Sequence, residues 1–311
     1  MVIKLREISK KKPLFTGGHR LCAGCGAAVI ARQVMNMVDE PVVIGNGTGC
    51  LEVTTSIYPF SSWNVSWIHS AFPNTASTIA GVESAWRALR DFGEMKDNYR
   101  FIAFAGDGGT YDIGLQALSG AIERGHRFLY VCYNNQAYMN TGYQRSGATP
   151  ASSWSSTTPV GTKQKGKPGR SKDLTAITAA HKIPYVAQAS PGFWNDLMLK
   201  VERALQIDGP SFINVIQPCI PGWGILPRDS MRLAKLAVDT CYWPLYEIID
   251  GRECTINYHP KQKLPLTEFL SLQKRFKHLL KDENKALLEE LQAEVDTDWE
   301  MLMMRCVGSL R

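Results

Sequence analysis

Long apolar runs are missing from this sequence. No stretch reaches the roughly 20 consecutive apolar residues that a transmembrane helix requires. The basic segment at residues 1–12 is not followed by the apolar region of a secretory signal. We therefore expect a cytoplasmic protein with no membrane partner.

A strong charge imbalance is missing as well. Charged residues make up 21% of the 311 residues, and the net charge of +6 is spread along the chain. A nucleic-acid-binding protein usually concentrates basic residues on one face, so we expect no nucleic-acid partner. The hydrophobic share of 44% is that of an ordinary globular protein with room for a large core.

Cysteine is present, but not in the pattern of an extracellular disulfide scaffold. Because cytosolic thiols are kept reduced, the eight cysteines are not expected to form disulfides. Cys22 and Cys25 form a C-x-x-C pair, which alone fits a zinc half-site, a redox pair or a cluster half-site. Cys50 and Cys219 each follow a predicted strand, so they could converge with that pair. The other four are expected to be buried or incidental thiols: Cys132, Cys241, Cys254 and Cys306.

The most informative stretch begins with the apolar run at residues 101–105, which ends on the segment GDGG at 106–109. Such a run predicts a buried strand whose carboxyl end opens a ligand crevice. Glycines let backbone N–H groups approach an anion, and a helix from about Tyr111 would point its positive end there. The carboxylate of Asp107 suits a Mg²⁺ ion shared with phosphate oxygens.

A second apolar run at residues 128–133 ends on Asn134 and Asn135. Its carboxyl end would lie beside that of the first run, so an asparagine oxygen could complete the metal shell. A G-D-G segment alone is common in turns, but the asparagines at the next strand end favour a cofactor. The spaced pattern resembles the diphosphate-binding motif of thiamine diphosphate enzymes.

The alternation of predicted strands and helices up to about residue 225 predicts one α/β domain, with a doubly wound, mostly parallel sheet. Residues 226–311 read as a helical C-terminal extension with a β pair around residues 250–251. The basic segment at 163–172 predicts an exposed loop, either simply solvated or docking an acidic partner or an anionic substrate tail. His69 could reach a cofactor or substrate, although a structural histidine is favoured.

Several motifs together carry a family resemblance. They are C-x-x-C-G at 22–26, T-G-C at 48–50, G-D-G-G at 106–109, Y-D-I-G at 111–114, Y-M-N-T-G at 138–142, S-G-A-T-P at 146–150 and P-C at 218–219. The set resembles the β subunit of the 2-oxoacid:ferredoxin oxidoreductases, the family of pyruvate:ferredoxin oxidoreductase and an oxalate-oxidising relative. The resemblance runs from about residue 17 to about residue 280.

This resemblance implies the thiamine diphosphate-binding fold and a set of ligands. Residues 1–225 would form the cofactor domain and 226–311 an extension for packing and subunit contacts. A [4Fe-4S] cluster would be held by Cys22, Cys25, Cys50 and Cys219. Mg²⁺ would be held by Asp107, Asn135 and the carbonyl of Ala137. Thiamine diphosphate would be contacted by Cys50, Gly106, Asp107, Gly108, Gly109, Asn135, Gln136, Ala137, Tyr138, Met139 and Asn140, with Asn140 catalytic and nearest the reacting carbon.

The resemblance also implies partners and a reaction. A small acid would be oxidatively decarboxylated, and its electrons would pass singly through the cluster to ferredoxin. An α subunit would supply the activating glutamate, and further cluster-bearing subunits would complete the path, because this chain has no second cysteine run. The chain should therefore be inactive alone.

The turn at residues 134–137 departs from the family pattern. Pyruvate-using relatives commonly read Asp-Asn-Glu-Ala there, whereas this chain reads Asn134-Asn135-Gln136-Ala137, and Tyr143 replaces an aliphatic residue. Removing carboxylates near an anionic substrate lowers a repulsion on the order of kcal/mol, which favours oxalate over pyruvate. Coenzyme A dependence follows the substrate, because oxalate leaves no acyl group. A non-redox thiamine diphosphate decarboxylase or synthase and a metal-stabilised scaffold remain the alternatives.

Overall fold

The structure, a computed structural model, describes residues 3–308. Its centre is an eight-stranded sheet in the order β2-β1-β3-β4-β6-β5-β7-β8. The first six strands are parallel, and the last two pair antiparallel. In chain order the strands are β1 Val42–Gly47, β2 Ser66–Ser70, β3 Arg100–Gly106, β4 Leu129–Asn134, β5 Tyr185–Ala189, β6 Ser211–Ile216, β7 Tyr246–Ile249 and β8 Glu253–Ile256.

Helices cover both faces of the sheet. They are α1 Leu5–Ile8, α2 Gly26–Met35, α3 Cys50–Thr55, α4 Thr75–Asp91, α5 Leu115–Glu123, α6 Leu174–Ala179, α7 Trp194–Gln206, α8 Ile220–Trp223, α9 Ser230–Asp239, α10 Thr267–Leu270 and α11 Lys285–Gly308. A π-helical turn, Gly108–Ile113, precedes α5, and short 3₁₀ segments lie at Pro227–Asp229, Lys274–Leu280 and Asp282–Asn284. Within the described part of the chain, no helix is long and apolar enough to cross a membrane.

The strands are buried on both faces because side chains alternate along each one. In β3, Ile102 and Phe104 pack with α2 and α7, whereas Phe101 and Ala103 pack with α4 and α5. Each face therefore has its own core, and the predicted doubly wound, mostly parallel fold is confirmed.

The sheet order places four functional strand ends side by side. The strands β1, β3, β4 and β6 are consecutive neighbours, and their carboxyl ends lie at one edge because they are parallel. The loops leaving this edge begin at Thr48, Asp107, Asn135 and Gln217. Ligands in open α/β sheets bind at such an edge, so the fold brings these four segments to a usual binding position.

The C-terminal extension is built against this sheet rather than apart from it. Its hairpin β7–β8 continues the sheet through antiparallel pairing with β5. A third apolar core lies under the extension and includes Trp223, Phe269, Phe276 and Leu279. The helical C-terminal segment expected from the sequence is confirmed, and its apolar stripes cover the same chain.

Two features differ from the sequence-based expectations. Cys254 and Cys306 form a disulfide, so the prediction of no disulfides and of incidental thiols at these positions is wrong. The packing of α11 on β8 brings their Cα atoms within 4.5 Å, and a separation of 52 residues hid this pairing. Cys132 and Cys241 are free and buried, as expected. The basic segment 163–172 is mostly exposed, but Lys167 is buried and donates to the carbonyl oxygens of Thr149 and Arg170.

Candidate cofactor and cluster site

Asp107 follows β3 directly and is completely buried. Its carboxylate accepts hydrogen bonds from the hydroxyl of Ser146 and, at 3.2 Å, from the backbone N–H of Asn135. Burial raises the pKa of this carboxyl to about 7, although the bond from Ser146 opposes the shift. Among the described residues, no lysine, arginine or histidine forms an ion pair with Asp107. A buried carboxylate without a cationic partner suits a bound metal ion.

Three oxygen atoms crowd together beside this carboxylate. Oδ1 of Asn135 lies 2.7 Å from the carbonyl oxygen of Ala137 and 3.0 Å from Oδ1 of Asp107. Adjacent oxygens around an octahedral Mg²⁺ with bonds of 2.0–2.1 Å lie about 2.9 Å apart. The residues therefore fit Mg²⁺ in both donor type and spacing. In residues 3–308, no group of three or more His, Cys, Asp or Glu side chains is placed to share one ion. The oxygen trio falls outside that count, because Asp107 is its only member of these residue types.

The glycine-rich segment makes a wide turn rather than starting a regular helix. The π-helical turn begins at Gly108, and α5 starts only at Leu115, later than the position near Tyr111 that the sequence predicts. A Cβ on Gly108 would lie 2.3 Å from a ring carbon of Tyr138, so this position needs glycine. The Tyr138 hydroxyl donates to the Gly108 carbonyl oxygen at 3.0 Å and to Asp112 at 3.2 Å. These contacts tie the turn after β3 to the loop after β4.

The four predicted cluster cysteines lie within electrostatic range of one another. Burial raises the pKa of the Cys50 thiol to about 11, with further contributions from Cys25 and Cys22. Burial likewise raises the pKa of Cys219 to about 12, with further contributions from the other three thiols. Cys22 is exposed, whereas Cys25 and Cys219 are buried.

Backbone N–H groups point at two of these sulfurs. Those of Ala27 and Ala28 bond to Cys25, and that of Gly222 bonds to Cys219; each lowers the pKa of its thiol against the larger effect of burial. A Cβ on Gly222 would lie 3.3 Å from Sγ of Cys219, so glycine keeps this approach open. Buried sulfurs with N–H donors and no side-chain cation suit a site in which iron balances their charge. The four residues offer the thiol donors that a [4Fe-4S] cluster needs, but within residues 3–308 no group of three or more Cys, His, Asp or Glu is placed to share a single ion.

Two polar groups lie at the mouth of this site. Asn140 is exposed, and its Oδ1 accepts a long hydrogen bond of 3.6 Å from the thiol of Cys50. His69 is also exposed, on β2, and its Nε2 lies 2.7 Å from Oγ1 of Thr48. The structural role favoured for His69 thus amounts to one bond to the loop that carries Cys50. The sequence had not predicted β2 as a strand.

Comparisons with known proteins point to one family. Residues 47–215 match the family model described as the thiamine pyrophosphate enzyme, C-terminal TPP binding domain. The chain is 49% identical to pyruvate synthase subunit PorB of Thermotoga maritima, over 96% of this chain and 94% of that protein. It is 48% identical to the subunit of the same name from Methanocaldococcus jannaschii, over 94% and 97% of the two chains. Ketoisovalerate oxidoreductase subunit VorB of Pyrococcus abyssi is 40% identical, over 93% and 92%.

The chain belongs to the β-subunit family of the 2-oxoacid:ferredoxin oxidoreductases. A solved structure of 2-oxoglutarate:ferredoxin oxidoreductase from Magnetococcus marinus, with 2-oxoglutarate, coenzyme A and succinyl-CoA bound, aligns with a TM-score of 0.56. It is 19% identical and covers 71% of this chain and 79% of that one, so it supports the fold alone. The resemblance of the sequence motifs to this family is confirmed.

Within this 2-oxoacid:ferredoxin oxidoreductase subunit, Gln136 is engaged by the C-terminal extension. Its Oε1 accepts from Arg275 at 2.6 Å, and its Nε2 donates to the Tyr242 hydroxyl at 2.7 Å. The Asn134 amide donates to Tyr111 at 2.8 Å and accepts from the backbone N–H of Gln136 at 3.0 Å. Both amides that replace the family's carboxylates are thus bonded within the protein. These contacts do not test the preference for oxalate, which stays a prediction.

Four residues of this oxidoreductase site had no contact predicted from the sequence, although Ser146 lies in the S-G-A-T-P motif. Ser146 bonds to Asp107, Gln217 links the metal trio to Cys25, and Arg275 stacks over Trp223 with its guanidinium carbon 4.1 Å from the ring centroid. The fourth is Tyr133, whose buried hydroxyl has no hydrogen-bond partner within the described part of the chain and would lie 3.1 Å from a Cβ on Gly49. The sequence did offer one signal for Gln217, because it is a polar residue between the end of a predicted strand and a cysteine. Ser146 and Arg275 join from distant segments, whereas Tyr133 ends the apolar run that predicts β4.

Proposed function

We propose that this chain is the subunit that binds thiamine diphosphate, Mg²⁺ and one [4Fe-4S] cluster in an assembly that oxidises pyruvate and reduces ferredoxin. The observation that carries the proposal is the placement of two sites one strand apart. The oxygen trio lies after β3 and β4, and the cysteines lie after β1, after β6 and before α2. A non-redox thiamine diphosphate enzyme has no use for four converging cysteines.

Each group of residues has a defined task. Asp107, Asn135 and the Ala137 carbonyl would hold Mg²⁺ against the diphosphate, while Cys22, Cys25, Cys50 and Cys219 would hold the cluster. Thiamine diphosphate supplies, when bound, the carbon nucleophile that takes up the 2-oxoacid and releases CO₂. The burial of Asp107 keeps water away from the metal ligands.

Asn140 would be the catalytic residue of this chain. Its Oδ1 lies 3.6 Å from Sγ of Cys50. An iron-bound thiolate cannot donate a hydrogen bond, so in the loaded protein this exposed amide would be available to a substrate oxygen. Its exposure places it where a small acid would enter. Tyr138 and Met139, immediately before it, would form part of the wall around the cofactor.

Pyruvate is the favoured substrate. The relatives from Thermotoga and Methanocaldococcus, at 49% and 48% identity, are named pyruvate synthase subunits. None of the relatives compared above is named for oxalate, so an oxalate preference would rest on the neutral amides of Asn134 and Gln136 alone. A 2-oxo acid with a branched side chain is the second candidate, because a relative at 40% identity is named ketoisovalerate oxidoreductase.

Other subunits would complete the enzyme. An α subunit would supply the activating glutamate, and cluster-bearing subunits would lead to ferredoxin. Exposed apolar side chains beside the cluster loop support a partner there: Val53 on α3, then Tyr58 and Phe60, are 45%, 94% and 77% exposed. Residues 1–225 would bind the cofactors, and residues 226–311 would pack against that domain.

The test is reduction of a low-potential dye by the complete assembly, purified without oxygen. Pyruvate, 2-oxoisovalerate and oxalate are supplied in parallel, with ferredoxin replacing the dye in a second series. We expect the fastest reduction with pyruvate and none with oxalate. Oxalate-dependent reduction without pyruvate activity would overturn the substrate assignment. CO₂ release without dye reduction would instead identify a non-redox thiamine diphosphate enzyme.

A further inference from the structure

Gln217 lies between the end of β6 and the cysteine two residues later. It is 2% exposed, and its backbone N–H donates to the carbonyl oxygen of Asn134 at 2.7 Å. Its side chain touches both candidate sites. Oε1 accepts from Nδ2 of Asn135 at 2.8 Å, and Nε2 donates to Sγ of Cys25 at 3.5 Å. One amide therefore joins a proposed Mg²⁺ ligand to a proposed cluster ligand.

An amide has its donor at one end and its acceptor at the other, so its two contacts cannot be set independently. When Gln217 donates to Cys25, its oxygen must face Asn135. Asn135 must then present its Nδ2 to Gln217 and its Oδ1 to the oxygens of Asp107 and Ala137. The two amides behave as a relay whose ends are linked.

Both proposed ligands select the same orientation of this relay. A cation between the oxygens of Asp107 and Ala137 needs Oδ1 of Asn135, not its NH₂ group. An iron-bound thiolate at Cys25 accepts hydrogen bonds and cannot donate one. Without a cation, the exchanged Asn135 amide would donate to Ala137 at 2.7 Å and to Asp107 at 3.0 Å, and would then need a donor from Gln217. That exchange would turn Oε1 of Gln217 towards Cys25 and towards the Pro218 carbonyl oxygen, to which Nε2 otherwise donates at 3.3 Å, so the two arrangements differ in hydrogen bonding at both ends.

We infer that Gln217 is a positioning residue that couples binding of the Mg²⁺–diphosphate group to the neighbouring cluster. This inference rests on the proposed function. Coupling between two sites is reciprocal, so the loaded cluster strengthens cofactor binding and the bound cofactor stabilises the cluster. The N–H donated to Cys25 also stabilises added negative charge on the cluster, which raises its reduction potential.

Two substitutions test the two contacts of the Gln217 side chain, one removing the donor to Cys25 alone and the other removing both contacts. Gln217→Glu keeps an oxygen for Asn135 but replaces the donor to Cys25 with a second acceptor. Gln217→Leu removes both contacts. Gln188→Leu is the matched control: Gln188 is also buried on a central strand and bonded at both ends, to Thr175 at 3.0 Å and Pro244 at 3.1 Å, and it has no cysteine contact.

The assembly containing each variant is purified without oxygen, and the affinity for thiamine diphosphate with Mg²⁺ is measured by calorimetry. The measurement is repeated after the clusters are removed with ferricyanide and a chelator. In the wild type and Gln188→Leu, loaded protein should bind about tenfold more tightly than depleted protein. In Gln217→Leu the difference should vanish. Equal differences in the wild type and Gln217→Leu would overturn the coupling.

A redox titration followed by electron paramagnetic resonance gives the second readout. Gln217→Glu should bind the cofactor within about threefold of the wild type while its cluster potential shifts to a more negative value. An unchanged potential would contradict the contact to Cys25. Wild-type protein that binds no cofactor or carries no cluster would instead refute the proposed function, which keeps the two failures distinct.

Discussion

Asp107 is the residue on which the proposed cofactor site depends most. It is fully buried, has no cationic side-chain partner among the described residues, and keeps its carboxylate beside the oxygens of Asn135 and Ala137. Its position was predictable because glycine-flanked carboxylates at strand ends are typical of metal–phosphate sites. Its bond from Ser146 was not predictable, because Ser146 lies 39 residues away in a loop without regular structure.

Replacing Asp107 by asparagine should abolish tight cofactor binding. The variant keeps the shape but loses the charge that balances Mg²⁺, so the affinity should fall at least about 10- to 100-fold, the loss expected even for an outer partner of a metal ligand. Calorimetric titration with thiamine diphosphate and Mg²⁺ measures the change. The control is Asp173→Asn, at the start of α6, where the carboxylate accepts from the N–H of Ala176. Unchanged affinity in Asp107→Asn would remove Asp107 from the metal site.

Arg275 is a hydrogen-bond partner of Gln136, a residue that departs from the family pattern. Burial lowers the pKa of its guanidinium to about 9, and Nη1 has no hydrogen-bond partner in residues 3–308. Its polar contacts are the amide oxygens of Gln136 and Gln273. The sequence revealed the substitution at Gln136 but not its partner, since Arg275 lies 139 residues further on.

Replacing Gln136 by glutamate should stabilise the protein. The new carboxylate would neutralise a guanidinium that is already buried, and the Tyr242 hydroxyl could donate to it in place of the amide bond. We expect a gain of about 1 kcal/mol in the free energy of unfolding, seen as a rise of about 2 °C in the melting temperature. Gln188→Glu serves as the control and should lower the melting temperature, because its new carboxylate oxygen would face the Pro244 carbonyl oxygen. A lower melting temperature for Gln136→Glu would contradict this account of Arg275.

At the scale of elements, the approach of α2 to the loop after β6 builds the cluster side of the site. The backbone N–H of Gly26 donates to the Pro218 carbonyl oxygen at 3.2 Å. A Cβ there would lie 3.0 Å from Pro218 and 3.1 Å from Gln217. Strands and helices of the core were predictable from apolar periodicity, but this contact joins residues nearly 200 positions apart. The edge strand β2 was missed because its central residues are largely exposed and do not form an apolar run.

Replacing Gly26 by alanine should push α2 away from this loop and lower the iron content of the assembly. The methyl group would need neighbours to shift by a few tenths of an ångström, and Cys25 moves with α2. The control is Gly81→Ala on α4, where a Cβ meets nothing within 4 Å. That change should raise stability by about 0.5–1 kcal/mol and leave iron unchanged. Iron analysis and thermal melts measure both, and full iron content in Gly26→Ala would show that the spacing is not critical.

At the scale of the whole molecule, the sheet order makes one site from segments scattered along the chain. Because β1, β3, β4 and β6 are neighbours, residues near positions 50, 107, 135 and 219 meet although the sequence separates them widely. The motifs predicted which residues matter, and the alternating elements predicted the fold class. The hydrogen bonds that join the two proposed cofactor sites depend on side-chain packing, which no local sequence pattern encodes. The disulfide between β8 and α11 was hidden for the same reason.

The central claim is that this chain itself holds the cluster beside the thiamine diphosphate site. The most direct test is the iron and cofactor content of Cys219→Ser in the assembly purified without oxygen, with the buried free thiol variant Cys241→Ser as control. We predict that Cys219→Ser loses about four iron atoms per copy of this chain and still binds thiamine diphosphate with Mg²⁺, whereas Cys241→Ser loses neither. Full iron content in Cys219→Ser would contradict the account.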